Sequence, residues 1–95
     1  MYPIIDSVKT GNKIRELMID NGLTPKDIQS YLSLTCIQTV YRWLSGISIP
    51  SIDNLYALSA LFHTPIDDII QGNRQNIYSN ISVIKEIGSP YYLYH

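Results

Sequence analysis

Gln38 and Arg42 stand four residues apart in the run CIQTVYRWLSG, residues 36–46, with Thr39 between them. Four residues is about one turn of a helix, so an amide, a guanidinium and a hydroxyl would share one strip along such a rod. The first two carry paired hydrogen-bonding atoms that can meet the major-groove edges of adenine and guanine bidentately, while a hydroxyl or its methyl can touch any base. The major groove of a duplex is wide enough to admit a helix bearing that strip. On a lone amphipathic helix the same strip is ordinary solvation, so its meaning depends on the elements around it.

Other reactive side chains offer less. Asp67 and Asp68 are adjacent, and neighbours on a helix do not face each other, so they read as helix-start electrostatics rather than an acid–base pair. Cys36 lies near a helix start but has no basic neighbour or second cysteine, and it reads as a small buried residue. His63 and His95 are isolated, which leaves no zinc-like ligand set, and His63 reads as a surface residue near a helix C-terminus. With no glycine-rich phosphate loop and no serine elbow, no catalytic residue, metal, cofactor or small-molecule ligand is assigned, and an enzyme is the least favoured class.

The strip needs a scaffold. On a helical wheel for residues 36–46, Val40, Leu44, Ile37 and Tyr41 share an arc flanked by Trp43 and Cys36, which reads as a core-facing stripe. Trp43 belongs with that core rather than serving as a platform for stacking a base. Opposite stand Ser45, Gln38, Arg42 and Thr39. Upstream, Ile14, Leu17 and Met18 predict a first helix over Asn12 to Asn21, ending before Gly22. Thr24-Pro25-Lys26-Asp27 supplies a cap, a first-turn proline and an acid for a second helix with Ile28, Tyr31 and Leu32 as its buried stripe, broken at Ser33-Leu34. Thr35 then caps the third helix, which Gly46 closes. Ser51 caps a fourth with Ile52, Leu55, Leu58 and Phe62 inward, and Thr64-Pro65-Ile66-Asp67 launches a short fifth that ends at Gly72.

Five short helices predict a compact, mainly α domain over residues 1–72, followed by an extension over 73–95. In the extension Ile77, Ile81 and Ile84 fit a helix, while Ile81, Val83, Lys85 and Ile87 fit a strand equally well, and an aromatic end, Tyr91-Tyr92-Leu93-Tyr94, follows. A chain of 95 residues, 45% hydrophobic and 16% charged, suits one globular domain. A single cysteine excludes an internal disulfide framework, and neither a signal-peptide pattern nor about 18 consecutive apolar residues is present, so a cytoplasmic protein without a membrane span is expected. The formal charge of −1 argues against a strongly electrostatic nucleic-acid binder.

A short helix begun at Thr24, a turn at Ser33-Leu34 and a following helix with a polar strip make a helix-turn-helix. The run from Asn12 to Gly72 resembles the Xre/Cro-type, lambda-repressor-like regulators. The resemblance rests on Ile14 and Leu17, Gly22-Leu23-Thr24, Ile28 and Leu32, Val40-Tyr41-Arg42-Trp43 with Gly46, Pro50-Ser51, Asp53-Asn54-Leu55, Leu58 and Ile66-Asp67-Asp68-Ile69-Ile70. It implies a sequence-specific regulator of double-stranded DNA, a repressor, acting as a homodimer on an inverted-repeat operator. Carried over residue by residue, it makes Gln38, Thr39 and Arg42 base-reading positions. Thr24 and Lys26 become backbone anchors at the start of the second helix, and Ser45, Ser48 and Asn54 flank the other side of the backbone. This sequence departs from the pattern in three ways: Ser33 stands where relatives usually have glycine, the following stretch is about one residue longer, and Pro25 removes an N–H from the phosphate-attracting end.

Only Lys9, Lys13, Arg15, Lys26 and Arg42 are cationic before residue 73, so one copy would neutralise few phosphates and two copies are expected. The segment after Ile77 is the candidate dimerising or core-sealing element. The alternative reading is a protein-interaction module, antitoxin-like or an anti-regulator, built on a helix-turn-helix that has lost much of its positive charge. Slight acidity and the aromatic end favour that alternative.

Overall fold

In the computed structural model, which describes residues 2–74, the five expected helices are α1 (Ser7–Asp20), α2 (Pro25–Leu32), α3 (Gln38–Leu44), α4 (Ile52–Phe62) and α5 (Ile66–Ile69). No strand is present among the described residues beyond a single bridge between Ile5 and Gly72. The expected features of residues 75–95 lie outside the described residues.

Local chemistry explains where each helix starts. Asp6 caps α1 by accepting from the Lys9 amide at 3.0 Å, so the helix begins at Ser7, five residues before the start expected at Asn12. The earlier start carries α1 straight through Gly11. At α2 the hydroxyl of Thr24 accepts from the Asp27 amide at 3.2 Å while the Asp27 carboxylate accepts from the Thr24 amide at 2.8 Å, and Pro25 occupies the first helical position. Ser51 caps α4 by accepting from the Asn54 amide at 3.3 Å.

Two expected caps are corrected. Thr35 does not cap α3; that helix starts later, at Gln38, and Ile37 stands at its N-cap without a side-chain bond, so Cys36 and Ile37 precede it. Thr64 does not cap α5, because its hydroxyl donates back to the Phe62 carbonyl at 3.0 Å and Pro65 takes the cap position. The fifth helix also stops at Ile69, short of Gly72.

Four of the helices end in the same way. A residue with left-handed backbone follows the last turn, its amide bonds three residues back, and the next amide bonds five residues back. Gly22 and Gly46 fill this position at φ 67° and 81°, while Ser33 and His63 fill it at φ 56° and 54°. The closing bonds run from Leu23 to Met18, Leu34 to Gln29, Ile47 to Arg42 and Thr64 to Ser59, at 2.8 to 3.1 Å. Ser33 therefore sets the bend between α2 and α3, at a position where an L-residue is strained.

α1 packs on α3 and α5, α2 on α3, and α4 on α5. The core gathers Ile14, Leu17 and Met18 from α1, Ile28 from α2, and Val40, Trp43 and Leu44 from α3, with Leu55, Leu58 and Phe62 from α4 and Ile69 from α5. Ile14, Ile28, Val40, Leu58 and Ile69 are fully buried, each contributing about 1.5–3 kcal/mol relative to an exposed side chain. Three residues expected in buried stripes lie outside it. Ile52 opens α4 and is 68% exposed, Tyr31 is half exposed, and so is Tyr41.

The two ends of the domain are stitched together. Ile4 and Asn73 exchange bonds, from the Ile4 amide to Asn73 Oδ1 at 2.6 Å and from the Asn73 amide to the Ile4 carbonyl at 3.1 Å. The Asp6 amide donates to the Gln71 carbonyl at 2.8 Å, and the buried Thr10 hydroxyl accepts from the Gln71 amide at 3.0 Å.

Candidate nucleic-acid interface

One face of α3 is committed to the core through Val40, Trp43 and Leu44, and Trp43 is only 3% exposed, as its place beside the apolar arc predicts. The rod therefore cannot roll, and its other side is fixed toward solvent. Gln38 and Arg42 lie there, both exposed and one turn apart. No carboxylate among the described residues pairs with the Arg42 guanidinium, so its donors are available to a ligand. Thr39 is half-buried, and its hydroxyl lies 3.6 Å from Cys36 Sγ.

Cys36 is exposed rather than buried, because α3 begins two residues later and the arc drawn for a helix from residue 36 does not apply to it. Hydrogen bonding by the Thr39 hydroxyl, and next by its backbone, holds the Cys36 thiol below its ordinary range. A thiol thus stands at the edge of the strip of Gln38, Thr39 and Arg42, joined to one of its three residues.

The positions expected to anchor a DNA backbone are less uniform. Thr24 and Lys26 are exposed at the start of α2, where free amides and the helix dipole would attract a phosphate. The reciprocal cap already uses the amides of Thr24 and Asp27, Pro25 has none, and the Asp27 carboxylate adds negative charge to the same turn. Lys26 and the Thr24 hydroxyl remain to meet an anion there. The spacing of Thr24 and Asp27 was the sequence signal for this cap, and its consequence for anion binding emerges only from the geometry. Beyond α3, the Ser45 hydroxyl donates to the Tyr41 carbonyl at 2.8 Å, so its one proton is committed inside the helix. Ser48 and Asn54 are half-buried on the segment leading into α4 and on its first turn.

Sequence reasoning missed the group that seats α3. The Ser7 hydroxyl of α1 donates to the Gly46 carbonyl at 2.8 Å, just past the end of α3. Gly11 is buried where α1 crosses the backbone of Trp43 and Leu44. With the first helix expected to begin only at Asn12, Gly11 lay outside it and the sequence carried no signal for this close approach.

A family model described as helix-turn-helix matches residues 14–69, from the middle of α1 to the end of α5. Among solved structures, the chain is similar to the crystal structure of a transcriptional regulator from Listeria innocua, with a TM-score of 0.60 at 22% identity over 88% of this chain and 81% of that one. That likeness is one of fold. No curated protein matches the chain.

Proposed function

The chain belongs to the Xre/Cro-type helix-turn-helix family, and from that premise we propose that it is a DNA-binding regulator that lays α3 in the major groove of a duplex. The observation that carries the reading is the pair Gln38 and Arg42, exposed one turn apart on a helix whose opposite face is locked in the core. Arg42 suits a guanine edge and Gln38 an adenine edge, and the Thr39 methyl or hydroxyl completes the strip. Lys26 and Thr24 hold a phosphate on one side, and Ser48 and Asn54 approach the backbone on the other. Ser45 joins them only if its hydroxyl exchanges its present bond.

Few cations are available, so one copy binds weakly and two copies act together. Half-sites one DNA turn apart, about 34–36 Å, on an inverted repeat fit a two-fold pair of such domains. Occupying a promoter in this way blocks transcription, which makes repression the expected output. A protein-interaction role is the second reading, favoured by the Asp27 carboxylate at the end of α2 that would otherwise attract a phosphate.

Duplexes enriched from a random pool, followed by fluorescence anisotropy at several salt concentrations, test the proposal. Binding should weaken with salt along a negative log–log slope of about 0.9 per phosphate neutralised. Arg42→Ala should cost about 1–3 kcal/mol on the preferred site and relax one base position, whereas Lys26→Ala should weaken all sequences alike. Equal losses from both substitutions on every sequence, or no enrichment at all, would refute DNA reading by α3.

A further inference from the structure

We propose that Gly11 is a positioning residue for the reading helix: by bringing α1 into backbone contact with the last turn of α3, it fixes the height and tilt at which Gln38 and Arg42 are presented. The inference rests on the DNA-reading role proposed above.

Glycine is among the poorest residues for a helix interior, yet Gly11 sits in the second turn of α1 and is buried. A Cβ at this position would collide with the Trp43 carbonyl oxygen and lie 3.1 Å from the Leu44 carbonyl oxygen and 3.3 Å from its carbon. All of these are main-chain atoms, so no side chain can turn aside to make room. Restoring ordinary contact would move the end of α3 by on the order of 1 Å.

Two neighbours tighten the same seat. The Ser7 hydroxyl, one turn before Gly11, holds the Gly46 carbonyl at 2.8 Å. Gly46 has φ +81°, and a Cβ there would come within 2.7 Å of Val8 Cγ2 and 2.9 Å of Val8 Cα. The other end of α3 has no side-chain cap, whereas this end is held by the Ser7 hydroxyl.

Arg42 directly precedes Trp43, so a shift of the Trp43 carbonyl moves the backbone from which the guanidinium extends. Bidentate hydrogen bonds tolerate about 0.5 Å in donor–acceptor distance, less than the shift a methyl at Gly11 would impose. Phosphate contacts from Lys26 on α2 are flexible and would adapt. The expected signature is therefore lost discrimination with retained nonspecific binding.

The test uses the full chain with Gly11→Ala and, as a milder variant without a clash, Ser7→Ala. Trp43 is the sole tryptophan, and its emission maximum and acrylamide quenching report the seat without DNA. Affinities for the enriched duplex and a scrambled one are measured at a temperature where circular dichroism shows each variant folded. Gly11→Ala should redden Trp43 emission, increase quenching and lower the enriched-to-scrambled ratio about tenfold, within the discrimination one bidentate pair supplies, with scrambled binding changed less than about twofold. Ser7→Ala should shift all three in the same direction by a smaller amount.

A folded Gly11→Ala with wild-type tryptophan signals and an unchanged ratio would overturn the proposal. If Gly11→Ala does not fold, the same null result from Ser7→Ala overturns it. If the wild-type chain prefers no sequence, the proposed function fails separately, and the Trp43 signals alone decide whether α1 sets the position of α3.

Discussion

Replacing Asp27 with asparagine should strengthen DNA binding. In the native chain the Asp27 carboxylate accepts from the Thr24 amide at 2.8 Å and so holds a negative charge in the first turn of α2, beside Lys26. Asparagine keeps an oxygen for that bond and removes the charge. For a phosphate on the order of 6 Å away in water-like surroundings, the repulsion removed is about 0.7 kcal/mol. Two copies on one operator double this to about 1.4 kcal/mol, which is tenfold in affinity. Helix α2 loses about 0.3–1 kcal/mol of dipole stabilisation in exchange, so the melting temperature should fall slightly while binding improves. Anisotropy titrations on enriched and scrambled duplexes at low salt provide the assay. Because Asp27 sits at the end of α2 proposed to meet a phosphate and not on the α3 strip, both duplexes should gain equally, and the gain should shrink as salt screens the pair. Unchanged or weaker binding on both duplexes, with the fold intact, would show that no phosphate docks at the start of α2.

Ser33→Gly and His63→Gly should each stabilise the domain by about 0.5–1 kcal/mol, because relief of left-handed strain outweighs the extra freedom glycine brings to the unfolded chain. Thermal melts should rise by several degrees for each, and a fall in either would mean that the side chain contributes more than its backbone costs. Folding favours the Cys36 thiolate through Thr39, so this contribution to stability is present above the unfolded thiol pKa and fades as pH falls through the folded value. Alkylation-rate profiles should accordingly have a lower midpoint in the native protein than in urea, Thr39→Val should raise it, and a bound duplex should protect the thiol.

Helix order and most of the core were legible because they depend on local signals. The Thr24-Pro25-Lys26-Asp27 cap, the spacing of Ile14, Leu17 and Met18, and the inward Val40 and Leu44 of the third helix with Trp43 at their flank appear in the structure as read, while Tyr41 of the same arc is half exposed. Starts and ends were harder. α1 begins at Ser7 because Asp6 caps it and the close approach to α3 rewards a glycine that propensity alone would exclude. α3 begins two residues later than its hydroxyl and sulfur neighbours suggested, which moved Cys36 from the core to the surface. Gln38 and Arg42 were identifiable because outward polar residues follow directly from an inward apolar set. The seat formed by Ser7, Gly11 and Gly46 was not, since it joins residues up to 39 apart through backbone atoms that carry no side-chain code.

The stitching of Ile4, Asp6 and Thr10 to residues 71–73 means that the domain's two extremities share one fate. Clipping the first few residues would not simply shorten an arm. It would strand the Gln71 and Asn73 main chain, remove the anchor from which the chain continues past Arg74, and leave the interior threonine of α1 as the last holdfast, so that fraying would start simultaneously from both ends.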